Sequence, residues 1–475
     1  MLSYNFKYEL KLLLRSKWIQ LLSLILLLLF GFSSFNGLQS VAKRKKDIAA
    51  ARLEVRQNDE MMLKLIDSVE RGMEVSALPW TIPTKPMAVG NYYPRVAAMV
   101  PGPMAFIAIG QADLFTHYVK PKASGNDYAL NFAEMTSPVQ LLFGSFDLAF
   151  VIVYLLPLLI IAFSYDILSS EKESGSLRLL ASQPIRIRYW VLQKLGLRFL
   201  WLTLLVSCTL IIVFLILGID PLARATPLLG LLALTLSYML FWFALAFLVN
   251  LWVGGSSRNA LALLGFWVAI VLLAPSVLNQ LGNTLYPIPS RTLMISEMRN
   301  LKAEVSKKQD EILDNFLRDH PEYAINDTTE SRGFYHRYMA SQKLIRAELS
   351  PVVGAYEEQL RKQQDWVSQF KWISPAILTQ ESLNQIAGSS TRDYENYRKQ
   401  VVQFAETWQE HFMPYLYNNR SFSVKDHALL PKFEYESRSF RSFAVVPVLL
   451  IIAMVLFGLG FILFGQTRKE SLMGT

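Results

Sequence analysis

Charge is scarce in this chain. Asp, Glu, Lys and Arg make up 18% of its 475 residues while hydrophobic residues make up 52%, and a soluble globular protein carries about 25% charged residues. The deficit, together with several long apolar runs, predicts an integral membrane protein. Cysteine is nearly absent too. A single thiol, Cys208, excludes an intrachain disulfide and any cysteine-based metal site, and its place within an apolar run reads as a small buried hydrophobe. Catalytic signatures are missing as well. The chain has no Gly-x-x-x-x-Gly-Lys-Ser/Thr phosphate loop, no His-Glu-x-x-His pair and no Gly-x-Ser-x-Gly elbow, and His117, His320, His336, His411 and His427 are scattered. The sequence therefore predicts no enzyme, no metal and no cofactor of its own. The net charge of +9 would suit nucleic acid in a soluble protein, but in a membrane protein Lys and Arg collect on the cytoplasmic side and report topology.

What is present is a pattern of six spans. Residues 1–17 read as a basic amphipathic helix lying in the membrane interface, with Phe6, Leu10, Leu13 and Leu14 on one face and Lys7, Lys11 and Arg15 on another. Residues 18–38 form an apolar run of the length that crosses a hydrocarbon core of roughly 30 Å. Ser40-Val41-Ala42 has the small residues of a signal-peptide cleavage site, but the apolar core is longer than an h-region, so the run reads as a first span. Further spans are expected at 146–168, 198–218, 228–250, 260–281 and 443–464, with Pro157 and Pro275 as helix kinks in the second and fifth. Lys and Arg before the first span, in the segment 169–197, in the loop 251–259 and in the tail 465–475 all fall on one side. The positive-inside rule makes that side cytoplasmic and places both termini there. One basic run, Lys43 to Lys46, falls on the other side and breaks the rule locally.

Two long regions share that other side. The first, 39–145, begins with a helix-like stretch from Val41 to Arg71 and continues through a proline-rich segment, 78–103, expected to lack regular helix. Trp80, Tyr92 and Tyr93 in it read as anchors to the membrane surface or to the second region, with a ligand-contacting aromatic patch as the rival. The second region, 282–442, is expected to be mainly helical. Apolar spacing marks helices through Ile312 and Phe316, through Leu344 to Leu360 around Pro351, and through Tyr394 to Phe412. The expected fold class is thus an all-α integral membrane protein with two mainly helical extracytoplasmic insertions.

The polar segment from Asp166 to Pro184 has the residue order of a mechanical device. Asp166 ends the last turn of the apolar run, Glu171 and Glu173 follow, Gly175 supplies the freedom to turn, and Ser174 or Ser176 caps a short new helix that Pro184 ends. Leu177, Leu180 and Ala181 form an apolar knob on that helix, while the acid pair suits a basic surface on a partner or helix capping. Glu171-x-Glu173-x-Gly175-Ser176-Leu177-x-x-Leu180-x-x-x-Pro184, followed by Arg186, Arg188 and Lys194, resembles the first cytoplasmic loop of type-2 ABC transporter permeases. The segment Trp372 to Leu378, then Ile386 to Ser390 and the helix with Tyr394 and Phe404, is similar to the large outer loop of a bacterial subgroup of that family.

The resemblance implies a permease subunit in the bacterial inner membrane whose loop docks on a separate ATPase carrying ATP and Mg. It also implies a second permease copy or a related chain as partner, with export as the favoured direction. The spans, read without charged residues inside, argue against ion-coupled transport. A second reading keeps the ATPase but moves no cargo, the outer domains transmitting force to an envelope partner. A membrane enzyme or receptor would need a polar cluster inside the spans, and the sequence shows none.

Overall fold

The computed structural model describes every residue except 1, 77, 111–115, 125–145, 178–186, 217, 219–224, 288–290, 324–332, 438–443 and 474–475. Among the described residues, six helices are long and apolar enough to cross a membrane: Lys17–Glu70, Leu148–Glu173, Tyr189–Ile216, Ala225–Trp252, Ser256–Leu285 and Val445–Ile462. They are called the first to sixth long helices below. A preceding helix, Leu2–Arg15, is broken from the first at Ser16.

The first long helix corrects the expected division between a span and a separate polar helix. It runs 54 residues without interruption, about 80 Å at 1.5 Å per residue. No proline occurs before Pro79, and one buried stripe passes from the apolar half into the charged half. Leu22, Leu26, Phe30, Ser33, Gly37, Val41, Arg44, Ile48 and Ala51 follow one another at steps of three or four, the spacing of a single helix face. Gly37 admits a close backbone crossing, since a Cβ there would collide with the carbonyl of Phe106. The helix ends at Glu70, followed by Gly72 in the left-handed region (φ 72°).

The two prolines act through a shared device. Val151–Leu155 and Val268–Leu273 are π-helical, and each leads into an α-helical stretch with Pro157 or Pro275 at its second position. A proline has no N–H for the preceding turn and its ring crowds the carbonyl four residues back, so the local ladder widens. The freed carbonyls find side-chain donors. Val153, four residues before Pro157, accepts from Tyr238 Oη at 3.0 Å, and Ile270, five before Pro275, accepts from Ser374 Oγ at 2.7 Å.

Ser374 belongs to the second polar region, where it caps a helix, Pro375–Ala387, that the sequence reading did not place among the spans. Ala376, Leu378, Leu383 and Ala387 of this helix are buried in the same core as the long helices. It wedges between the ends of the second, fourth, fifth and sixth long helices.

Beyond the wedge helix, the two polar regions meet in a shared core. Met62, Ile66, Met87 and Val89 from the first pack with Met339, Tyr397, Val401, Phe404, Trp408 and Phe412 from the second. Hydrogen bonds cross the junction from Tyr397 Oη to the carbonyl of Ala97 (3.0 Å), from Trp408 Nε1 to that of Gly90 (3.1 Å) and from the Phe422 amide to that of Thr84 (2.8 Å). The helices of the second region are Arg291–Lys307, Gln309–Asp319, Phe334–Phe370 and Thr391–Tyr417. The expected helical faces therefore appear, and Phe334–Phe370 continues through Pro351. The proline-rich stretch departs from expectation in containing a short helix, Pro86–Tyr92, which starts on Pro86, where the missing N–H costs nothing. Tyr93 packs on the shared core, whereas Trp80 and Tyr92 are exposed.

The shared domain carries a pH dependence. Burial, reinforced by the nearby charges of Arg44 and Lys43, lowers the His117 imidazole from 6.5 to about 3. Between those values the unfolded chain binds a proton that the folded chain refuses, so stability rises with pH across that window. The domain is expected to hold full stability above about pH 6.5 and to lose on the order of a few kcal/mol as pH falls toward 3. Hydrogen exchange of the domain helices across that range would measure it, and a His117→Asn chain with the same acid profile would sink the assignment to His117.

Candidate functional site: the braced polar loop

Asp166 to Leu177 lies against the turn that joins the fourth and fifth long helices. Ser169–Glu173 is a helical turn, Ser174 closes it, and Gly175 sits at φ 77° with open space around it. Only glycine adopts that conformation without strain. Ser176 and Leu177 are helical again, and the hydroxyls of Ser174 and Ser176 both reach back to Glu171. Leu180 and Pro184, expected to complete the knob and end the helix, lie outside the described residues.

The two acids face opposite neighbours. Glu173 Oε1 accepts from the Ser256 amide at 2.8 Å and its Oε2 from Ser256 Oγ at 2.9 Å, so it caps the fifth long helix from another segment of chain. Gly254 makes the turn possible at φ 77°, with Lys172 Nζ 3.4 Å from where a Cβ would stand. Glu171 pairs with Lys194 Nζ at 2.8 Å and also accepts from Ser176 Oγ. Lys194 in turn reaches Glu9 at 3.2 Å and lies over the Trp190 ring, 4.2 Å from its centre. One buried lysine thus ties the first short helix, the loop and the third long helix together. Of the two roles open to the acids from sequence, Glu173 takes that of a helix cap.

Beneath the loop lies a polar cluster that the sequence reading missed. Asn250 and Asn259, both fully buried, stand near the ends of the fourth and fifth long helices. Asn250 Nδ2 donates to the carbonyl of Ser164 at 2.8 Å and its Oδ1 accepts from the Leu168 amide at 3.3 Å; Asn259 Nδ2 donates to the carbonyl of Tyr165 at 3.0 Å. Ser256 Oγ and Ser169 Oγ lie 2.9 Å apart in the same network. These bonds satisfy open carbonyls where the α-helical stretch Leu156–Ser164 of the second long helix stops. The signal was available: an Asn closing a long apolar run, followed nine residues later by a second Asn.

Three other expectations are corrected. The third long helix starts about ten residues earlier than expected, so Lys194 and Arg198 stand inside it. Their charges are met locally, Arg198 donating to the carbonyl of Phe163 and pairing with Asp166 at 3.4 Å. Cys208 is exposed on the outer face of that helix rather than buried; against hydrocarbon an apolar side chain gains nothing from facing inward. Leu177, expected to be a free knob, is half-buried against the core of the long helices.

Residues 291–436 match a family described as a domain of unknown function, DUF3526. The match covers the second polar region, including the wedge helix Pro375–Ala387, and not the loop. No curated protein and no solved structure matches the chain.

Proposed function

We propose that this chain is the membrane-spanning permease subunit of a type-2 ABC transporter, driven by a separate ATPase that docks on the loop around Glu171 to Leu177. Both termini and the loop then face the cytoplasm, and the two polar regions form one extracytoplasmic domain of a bacterial inner-membrane protein. The observation that carries the reading is the bracing of the loop by Glu173 on Ser256, by Lys194 on Glu171 and Glu9, and by the Asn250 and Asn259 cluster beneath. A push on such a loop moves the ends of the second, third, fourth and fifth long helices together. The π-helical segments before Pro157 and Pro275 are where those helices have slack to follow. ATP closure of two ATPase subunits then opens a path between two permease copies, in the export direction.

A second reading has its own support. The unbroken first helix joins the membrane segment to the domain core, and Ser374 couples the wedge helix to the π-helical segment of the fifth. A rigid rod and a wedge serve a device that transmits motion to an envelope partner without moving cargo.

Co-purification from the native host tests the shared premise. The wild-type chain is expected to bring down an ATPase with vanadate-sensitive activity, and Leu180→Asp combined with Leu177→Asp to lose it by at least tenfold, since a buried charge at a docking surface has no partner. Because Leu177 also touches the core, Leu180→Asp alone and an unchanged elution profile guard against misfolding. A wild-type chain that recovers no ATPase, or a folded variant that retains it, overturns the proposal. Cargo transport into vesicles by the intact complex then separates the two readings.

A further inference from the structure

The basic run Lys43 to Lys46, out of place for a charge distribution set by topology alone, points to a ligand. Arg44 is buried in the wall of a cavity of about 400 Å³, a volume within the range of small-molecule sites. Three kinds of element meet there: the loop Met99 to Ala105, the C-terminal end of the wedge helix with Ile386 and Ser389, and the starts of the fourth and sixth long helices at Leu234 and Val445. The walls are largely apolar and half open, and Gln385, Ser389 and Tyr435 are among the polar residues that line them.

Depth decides what such a cavity takes. Leu38 ends the apolar run of the first helix, and Arg44 follows six residues later, about 9 Å along the axis. That distance places the guanidinium among headgroups just beyond the hydrocarbon core. Lys43, Lys45 and Lys46 are exposed beside it, and Arg52 and Arg56 continue the basic face along the rod. The carboxylate in the wall, Asp393, is engaged by the Ser390 amide and hydroxyl as a helix cap.

We infer that this cavity binds an anionic amphiphile, its acyl chain between the wedge helix and the Met99 to Ala105 loop and its phosphate or carboxylate head on Arg44 and the adjoining lysines. The inference does not depend on an ATPase partner. Apolar walls at membrane depth accept a chain, and a cluster of basic side chains at the surface favours an anionic head. Bilayer phospholipid and free fatty acid share that chemistry.

Photolabelling of the full chain in nanodiscs tests it. Nanodiscs of phosphatidylethanolamine and phosphatidylglycerol would carry diazirine-bearing phosphatidylglycerol in one arm, phosphatidylcholine with the same chain in another, and palmitate in a third. Label on peptides 99–105 or 382–389 is the expected result, with the phosphatidylglycerol arm indicating a bilayer source and label from palmitate alone a free acid. Gly102 lines the cavity with open space where a Cβ would stand, so the backbone there accepts a side chain and Gly102→Trp is the filling variant. It is expected to cut labelling at least about tenfold, equivalent to about 1.4 kcal/mol, while Leu53→Trp on the exposed rod leaves it unchanged. Val100→Trp, at the exposed lip, replaces Gly102→Trp if that chain fails to fold. Absence of label in all three arms, equal labelling of wild type and filled variant, or phosphatidylcholine labelling as strong as phosphatidylglycerol would each overturn the inference.

Discussion

Replacing Trp408 by alanine is expected to cost about 3–5 kcal/mol and to lower the melting temperature of the domain by roughly 10 °C. The indole is fully buried, packs edge-on to Phe412 at 5.1 Å between ring centres, and donates from Nε1 to the Gly90 carbonyl at 3.1 Å. That bond joins the two polar regions across 318 residues of sequence. Gly90 cannot move closer to refill the space, because Ala123 and the Phe412 ring already stand within 3.0 Å of where its Cβ would be. The cavity therefore persists and the carbonyl is left without its donor. Trp408→Phe separates the terms: it keeps most of the apolar contact and loses the bond, so it should cost about 1–3 kcal/mol. Tryptophan-independent unfolding of the intact chain, followed by limited proteolysis within 291–436, measures both. A Trp408→Ala chain that melts within about 2 °C of wild type would show that the two regions do not fold as one domain.

How much of this was legible in the sequence depends on the range of the forces involved. Hydropathy over about 20 residues locates all six long helices, because solvation by lipid is a property of a whole window. Helix faces in the second region follow from local periodicity for the same reason, as Tyr397, Val401, Ala405, Trp408 and Phe412 line up in the core. The continuity of the first helix was harder. A change from apolar to charged composition marks a change of environment and does not break a helix that contains no proline. Pairings that depend on distant partners were out of reach. Nothing near Glu173 announces Ser256, and nothing near Ile270 announces Ser374. The wedge helix hides in a different way, since its length of 13 residues is too short for a span and its core is built by four other helices.

In the braced loop, the partners of Lys194 suggest which side chain matters most. Its ammonium is nearly buried and meets Glu171 at 2.8 Å and Glu9 at 3.2 Å, with side-chain exposures of 10%, 27% and 18% respectively. Lys194→Met keeps the apolar stem over Trp190 and removes the charge, leaving two carboxylates side by side without a cation. Removing one member of a buried ionic cluster costs about 3–5 kcal/mol, and the partial exposure of Glu171 and Glu9 sets the expected loss at about 3. Much of that is the penalty on the orphaned acids rather than the worth of the pairs. The triple variant Lys194→Met, Glu171→Gln, Glu9→Gln should therefore regain most of the stability, since no uncompensated charge remains. Thermal unfolding in one detergent compares the three chains, and a single variant within about 0.5 kcal/mol of wild type would show that the cluster bears no load. The triple variant then isolates function from stability. If the loop carries force from an ATPase, the refolded but unbraced chain should bind that subunit and yet lose the coupling between ATP hydrolysis and movement of the long helices. A chain that remains fully coupled would place the force path elsewhere, through Glu173 and the fifth long helix.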